Sequence, residues 1–281
     1  MSILAGVTSG ASTSGLRVVV YAQEKMGKTT LGAGAPNALL VPLEVGFAGV
    51  SVHKTPMLQS LAQVKEFLTE VYTALTAGQF PFRSIVFDSA TALERYIHEA
   101  VLASDPSVVQ SNGRKTVTME SAHGGYGKAY LLANAEFSQI LGFLDVLAVQ
   151  FGINIVFTCH AFSSRLLDPT AGEFDSWDIL LHSPKNAKTY GKREIITQWA
   201  DIVGFIYEPI VVSESGRVSR GVSQNRGRLI GVSRTPAYVA GNRFGMVEEI
   251  KLPTPPNNSW NALANAVYSS TGIDVFNRDK P

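Results

Sequence analysis

A short β-branched run, Arg17–Tyr21, leads directly into Ala22-Gln23-Glu24-Lys25-Met26-Gly27-Lys28-Thr29-Thr30. From Ala22 to Thr29 the spacing is that of a phosphate-binding P-loop, G-x-x-x-x-G-K-[ST]. The residue types suit that task. Successive backbone N–H groups must turn inward around phosphate oxygens, and Gly27 lets the backbone approach closely. Lys28 is placed to reach the β- and γ-phosphates, and the Thr29 hydroxyl to take a place on Mg²⁺. A helix starting near Thr29 would aim its positive end at the same charge. Ala22 stands where the motif has its first glycine, and alanine there requires a negative φ or some strain. The loop entry is therefore expected to differ in shape. A bare G-K-T is common, but one set between an apolar strand and a later acidic strand end is not.

The 281 residues allow one large α/β domain or two small ones, and 45% hydrophobic with 17% charged residues is ordinary for a chain that buries a sizeable core. A net charge of +1 gives no global field to recruit nucleic acid, so any such contact must come from a local patch. Cys159 is the one cysteine, which excludes an intramolecular disulfide and fits a reducing compartment. No run reaches the roughly 18 apolar residues of a membrane span, and the start lacks a basic signal-peptide region. The expected location is the cytoplasm.

Met1–Gly15, rich in Ser, Gly, Thr and Ala, reads as a poorly ordered arm, or as a segment that docks on a neighbouring subunit. Ala38–Leu43 is expected to be a strand beside the P-loop strand, delivering Glu44 at its carboxyl end to activate water. Leu58–Ala77 has a helical apolar period and stops at Gly78. Ile85-Val86-Phe87-Asp88 has the form of a Walker B strand, whose Asp88 would hold Mg²⁺ through water. Thr91–Ala103 and Lys128–Gln150 read as helices, the second with an apolar face that includes Leu131, Leu132, Phe137 and Leu141. Ile153–Cys159 is a further apolar strand ending at His160, where open α/β sheets bind ligands, and a polar group there could sense the γ-phosphate.

Two long polar stretches, Ser104–Gly127 and Ala161–Ala200, read as loops, and loops of that length in a compact domain are often functional. The second balances five basic residues (Arg165, Lys185, Lys188, Lys192, Arg193) with five acidic ones, so it is no simple cationic arm. Ile202–Tyr207 and Ile210–Ser213 look like edge strands, while Gly216–Ser233 and Ala237–Ile250 suggest hairpins. Val211–Gly245 carries Arg217, Arg220, Arg226, Arg228, Arg234 and Arg243 against Glu214 alone. Arginine forks match phosphate groups, of a DNA backbone or of a neighbour's nucleotide. Pro253–Pro281 is expected to leave the core, with one short helix over Ser259–Tyr268 that packs on the domain or on a partner.

This order of parts resembles a RecA-type ATPase core. More narrowly, the chain is similar to the phage-encoded RecA-like ATPases of the Sak single-strand-annealing group. The likeness rests on Tyr21–Thr30, Leu40–Gly46, Ser84–Ala92, Gly124–Tyr130, Phe157–Ala161, Ser183-Pro184-Lys185, Ala200–Phe205 and Gly241–Gly245. Gly241-Asn242-Arg243-Phe244-Gly245 is similar to the K-N-R-F-G motif of the bacterial RadA recombination ATPases, with Ala240-Gly241 where that motif has its lysine. The resemblance implies a RecA-like α/β domain over residues 16–252, a central, mainly parallel sheet with helices on both faces, and C-terminal β-hairpins. It implies Mg·ATP bound by residues 22–30 and hydrolysed with Lys28, Glu44, His160 and Arg243 as catalytic groups, Thr29 and Asp88 placing the metal, and Lys25 also within reach of a phosphate. It further implies a ring or filament, single-stranded DNA held by the loops at 104–126 and 161–199 with Tyr126, Phe162 and Tyr190 as stacking groups, and a single-strand-binding protein as a further partner. Two other readings stay open: a nucleotide-dependent annealing module with little hydrolysis, and an ATP-linked assembly protein without a DNA role. A small-molecule kinase fits less well, because there is no lid-like arginine pattern.

Overall fold

A computed structural model describes residues 15–169, 172–184, 190–215, 218–223, 227–254, 258–272 and 274. Met1–Ser14 of the N-terminal arm, Lys185 and Lys188, and Arg217 and Arg226 lie outside the described residues.

The first half of the chain alternates strand and helix. β1 (Arg17–Ala22), α1 (Lys28–Ala33), β2 (Ala38–Pro42), β3 (His53–Lys54), α2 (Leu61–Thr76), β4 (Ser84–Asp88) and α3 (Ala90–Ala103) follow in order. Then come α4 (Pro106–Gln110), α5 (Lys128–Phe151), β5 (Asn154–Asp168), β6 (Gly172–Ile179), α6 (Lys192–Trp199) and β7 (Ile202–Tyr207). The last part holds β8 (Ile210–Ser215), β9 (Val218–Ser223), β10 (Leu229–Gly231), β11 (Gly241–Asn242), β12 (Ile250–Lys251) and α7 (Ser259–Thr271). The main sheet runs β12-β10-β7-β1-β5-β4-β2-β3, parallel from β7 to β3 and antiparallel at the β10 and β12 edge.

β1 shows why helices cover both faces. From Val18 on its residues are apolar without alternation, as in a strand buried on both sides. Val19 and Tyr21 face the cluster made with α2, α3, α5 and α6, whereas Val18, Val20 and Ala22 face the cluster made with α1 and α7. The fold class expected from sequence is the one observed.

Several local expectations are corrected. β2 does not neighbour β1, since β5 and β4 stand between them. β5 does not stop at His160. It runs on to Asp168 and pairs antiparallel with β6, from Ala161↔Ile179 to Asp168↔Gly172. Residues 161–168 and 172–179 therefore form a ribbon rather than a loop, held by backbone hydrogen bonds that need no apolar run. The sequence signal missed it because apolar and polar side chains are mixed along it and most of those described are only partly buried or exposed. Lys192–Trp199 is a helix, with the Glu194 side chain accepting from the Gly191 N–H at 2.8 Å. Ser104–Gly127 contains α4 and a 3₁₀ turn at Ala122–Gly124. The hairpin in the arginine-rich part is β8–β9, while β10, β11 and β12 pair with β7 or with each other. On α5, Leu131 and Leu132 are exposed, and the buried face is Ala129, Ala133, Phe137, Ile140, Leu144 and Leu147. By length and composition α5 also suffices to cross a membrane.

The C-terminal helix does not leave the core. Trp260, Leu263 and Val267 of α7 are buried with Leu31 of α1 and Ile230 of β10. Asn258 fixes the helix start: its Oδ1 accepts from the Trp260 N–H at 2.9 Å, and its Nδ2 donates to the Gly34 carbonyl at 2.8 Å. Asn258→Ala removes the cap and that tether together. It is expected to cost about 1–2 kcal/mol, read as a lower midpoint in chemical denaturation, and an unchanged midpoint would refute the tether.

Candidate functional site

The parallel strands end on one side of the sheet, and their register brings the motif residues together there. Ala22 of β1 lies opposite His160 of β5, Thr158 of β5 opposite Asp88 of β4, and Asp88 opposite Pro42 of β2. The expected difference at the loop entry resolves simply. Ala22 is the last β1 residue and is paired as strand, so no glycine is needed there. Left-handed backbone occurs instead at Lys25 (φ 60°) and Gly27 (φ 91°).

Lys28 is 8% exposed, and its Nζ donates to the carbonyls of Ala22 at 3.0 Å and Gln23 at 2.9 Å. Burial pulls its pKa down, opposed by the charges of Asp88, Glu24 and Glu44. Among the described residues it forms no ion pair. The ammonium is thus held over the loop by neutral oxygens alone, a setting that favours an incoming anion.

The Thr29 hydroxyl donates to Asp88 Oδ2 at 2.7 Å, and Thr158 donates to the other Asp88 oxygen. The Thr29 hydroxyl and the Asp88 carboxylate are hard oxygen donors that suit Mg²⁺, and these two residues would hold it beside a bound phosphate, where it would supply positive charge. Thr158 was missed in the sequence. It lies two residues before His160 and so on the same face of β5, a signal that period-2 reading offers.

Glu44 sits two residues beyond the end of β2, where its Oε1 accepts from Ser89 Oγ at 2.6 Å and pairs with His160 Nε2 at 2.8 Å. An ionised carboxylate can only accept, so His160 carries its proton on Nε2 in this pair. Burial disfavours the Glu44 charge, but the bonds from His160 and Ser89 outweigh it and hold its pKa below the usual value. The backbone at this point is tied down as well: Leu43 N–H donates to the Asp88 carbonyl at 2.7 Å, and Tyr96 Oη donates to the Leu43 carbonyl at 2.5 Å. Glu44 thus reaches the site although β2 is three strands from β1.

Arg243 is not brought to this cluster. Its guanidinium pairs with Asp201 at 2.7 Å and donates to the Gln198 carbonyl, at the amino end of β7 and so across the sheet from the P-loop. Of the other arginines, Arg234 is exposed, Arg220 lies on β9, and Arg228 touches the P-loop, donating from Nη1 to the Met26 carbonyl at 3.0 Å. Tyr126 is fully exposed and Tyr190 largely so, whereas Phe162 is half-buried on the β5–β6 ribbon.

A model of the AAA domain family matches residues 14–244, which contain every residue of this cluster. No curated protein matches the chain.

Proposed function

Because this chain belongs to the AAA domain family, we propose that it is a Mg²⁺-dependent, RecA-like ATPase that works on single-stranded DNA as an oligomer, in annealing or strand pairing. The observation that carries the ATPase part is the convergence of Lys28, the Thr29–Asp88 pair and the Glu44–Ser89–His160 cluster at the carboxyl ends of four adjacent strands. Mg²⁺, when bound, supplies positive charge to the β- and γ-phosphate oxygens. The chain's own groups do the rest. Lys28 offsets phosphate charge, Asp88 and Thr29 orient the metal's shell, and Glu44 holds the attacking water. His160, bonded to Glu44, stands where a γ-phosphate would perturb it.

Support for a DNA role is the continuity between this site and the ribbon. The His160 N–H donates to Thr91 Oγ1, that hydroxyl donates to the Leu180 carbonyl, and the Leu180 N–H returns to the His160 carbonyl at 2.9 Å. A change at Glu44–His160 therefore has a short bonded route to β6 and to the chain that follows it, the segment assigned to DNA. The exposed rings of Tyr126 and Tyr190 are suited to stacking on bases.

ATP turnover by the purified chain, with and without single-stranded DNA and across a salt titration, tests the reading. Turnover stimulated several-fold by DNA, and weakened by salt, is the expected result. DNA binding without turnover would replace it by an annealing module. Neither DNA binding nor stimulation would leave a nucleotide-linked assembly protein.

A further inference from the structure

Arg228 directly precedes β10, whose antiparallel pairing sets Leu229 opposite Tyr207 and so places Arg228 at the carboxyl end of β7, beside the P-loop. Its Nη1 donates to the Met26 carbonyl at 3.0 Å, and its Nη2 reaches the Pro253 carbonyl at 3.4 Å. The guanidinium lies against Gly27 so closely that a Cβ there would sit 1.9 Å from Nη1. Gly27 is thus required twice, for a φ of 91° and as the seat of this arginine.

The partners of Arg228 are neutral. Arg17, Arg165, Arg193 and Arg243 each pair with a carboxylate, but among the described residues Arg228 has none. Lys28, on the same loop, is likewise held by carbonyl oxygens. Arg228 and Lys28 therefore both lie at one short loop with no carboxylate bonded to either. A guanidinium has five N–H donors in a planar fork, and two carbonyls leave most of them for other acceptors.

We propose that Arg228 is a further cationic ligand, beside Lys28, for the polyphosphate of the nucleotide bound by its own chain. This rests on the nucleotide-binding reading above. It separates Arg228 from Arg234 and Arg243, the other arginines of its segment with described side chains, for which no contact with the P-loop is described, and it makes the β10–β12 edge part of the nucleotide site. Through Pro253, the same guanidinium ties the loop to the chain leading to α7.

The test is equilibrium binding of a non-hydrolysable ATP analogue and of ADP to the full chain at several salt concentrations. Wild type, Arg228→Gln and Arg228→Lys are compared, with thermal melts in the absence of nucleotide. Arg228→Gln should weaken the triphosphate by about tenfold, the diphosphate less, and flatten the salt dependence of binding, because one cation is lost. Arg228→Lys, which keeps the charge, should retain most of the salt dependence. A glutamine variant that binds like wild type overturns the proposal. So does one that weakens both nucleotides equally with an unchanged salt slope, which would mark Arg228 as a loop clamp only. Should the glutamine variant fail to fold, the lysine variant decides: loss of salt dependence with the charge retained overturns the assignment. Absence of binding by wild type would instead remove the nucleotide reading itself, and that result needs no variant.

Discussion

Lys28→Ala is expected to lower affinity for ATP by about 100-fold, with no loss of folding stability. Both halves follow from how the ammonium is held. It is 8% exposed and bonded to two carbonyls of its own loop, and burial depresses its pKa. A desolvated cation with only neutral partners costs the nucleotide-free fold something, so removing it relieves that cost. The Ala22 and Gln23 carbonyls lose one donor each, which offsets part of the relief. A triphosphate loses far more, since a charge-assisted bond to its β- and γ-oxygens disappears with no replacement at that point of the loop. Titration calorimetry beside a thermal melt reads the two effects separately. Unchanged ATP affinity would show that the loop does not bind phosphate through Lys28. A sharply lower melting temperature would show that the lysine serves the fold instead.

The parts of this site that sequence made legible are those whose chemistry is written within one strand and its next few residues. β1 with Gly27 and Lys28, β4 with Asp88, and β5 with His160 all combine a buried apolar run with a polar residue after it; β1 and β4 end close to where expected, while β5 passes His160 and runs on to Asp168. What sequence could not supply is the lateral order of strands. Placing β2 beside β1 was a natural reading of consecutive elements, yet two later strands are inserted between them. Glu44 still arrives because the chain beyond Pro42 bends back, with Leu43 bonded to Asp88 and Tyr96. The β5–β6 ribbon was illegible for another reason. Hydrophobic periodicity reports burial, and an antiparallel ribbon projecting from the sheet buries little. Arg228 was visible only as one of six arginines, because its distinguishing feature is a carbonyl 202 residues away in sequence.

Glu44→Gln is expected to reduce ATP turnover by about 10²–10³-fold while leaving ATP affinity within about threefold of wild type. Glutamine keeps the size of the side chain and an oxygen that still accepts from Ser89 and His160, so the local frame at 2.6 and 2.8 Å has reason to persist. What disappears is the negative charge facing the water. The Glu44 pKa is held below its ordinary value, burial notwithstanding, by those same two donors. A lowered folded value means that the carboxylate contributes stability above the unfolded pKa of about 4.5 and loses it as pH falls through the folded value. At neutral pH the group is ionised, and for Glu44 the rate should stay flat down to about pH 5. So weak a base is poorly matched to full proton abstraction. It is well matched to orienting a nucleophile, because phosphoryl transfer passes through a loose transition state in which positioning and charge matter more than basicity. Steady-state turnover and analogue binding on the same two proteins decide the point. Loss of turnover with binding retained places the water at Glu44, whereas equal turnover by Glu44→Gln and wild type would move that role to another residue.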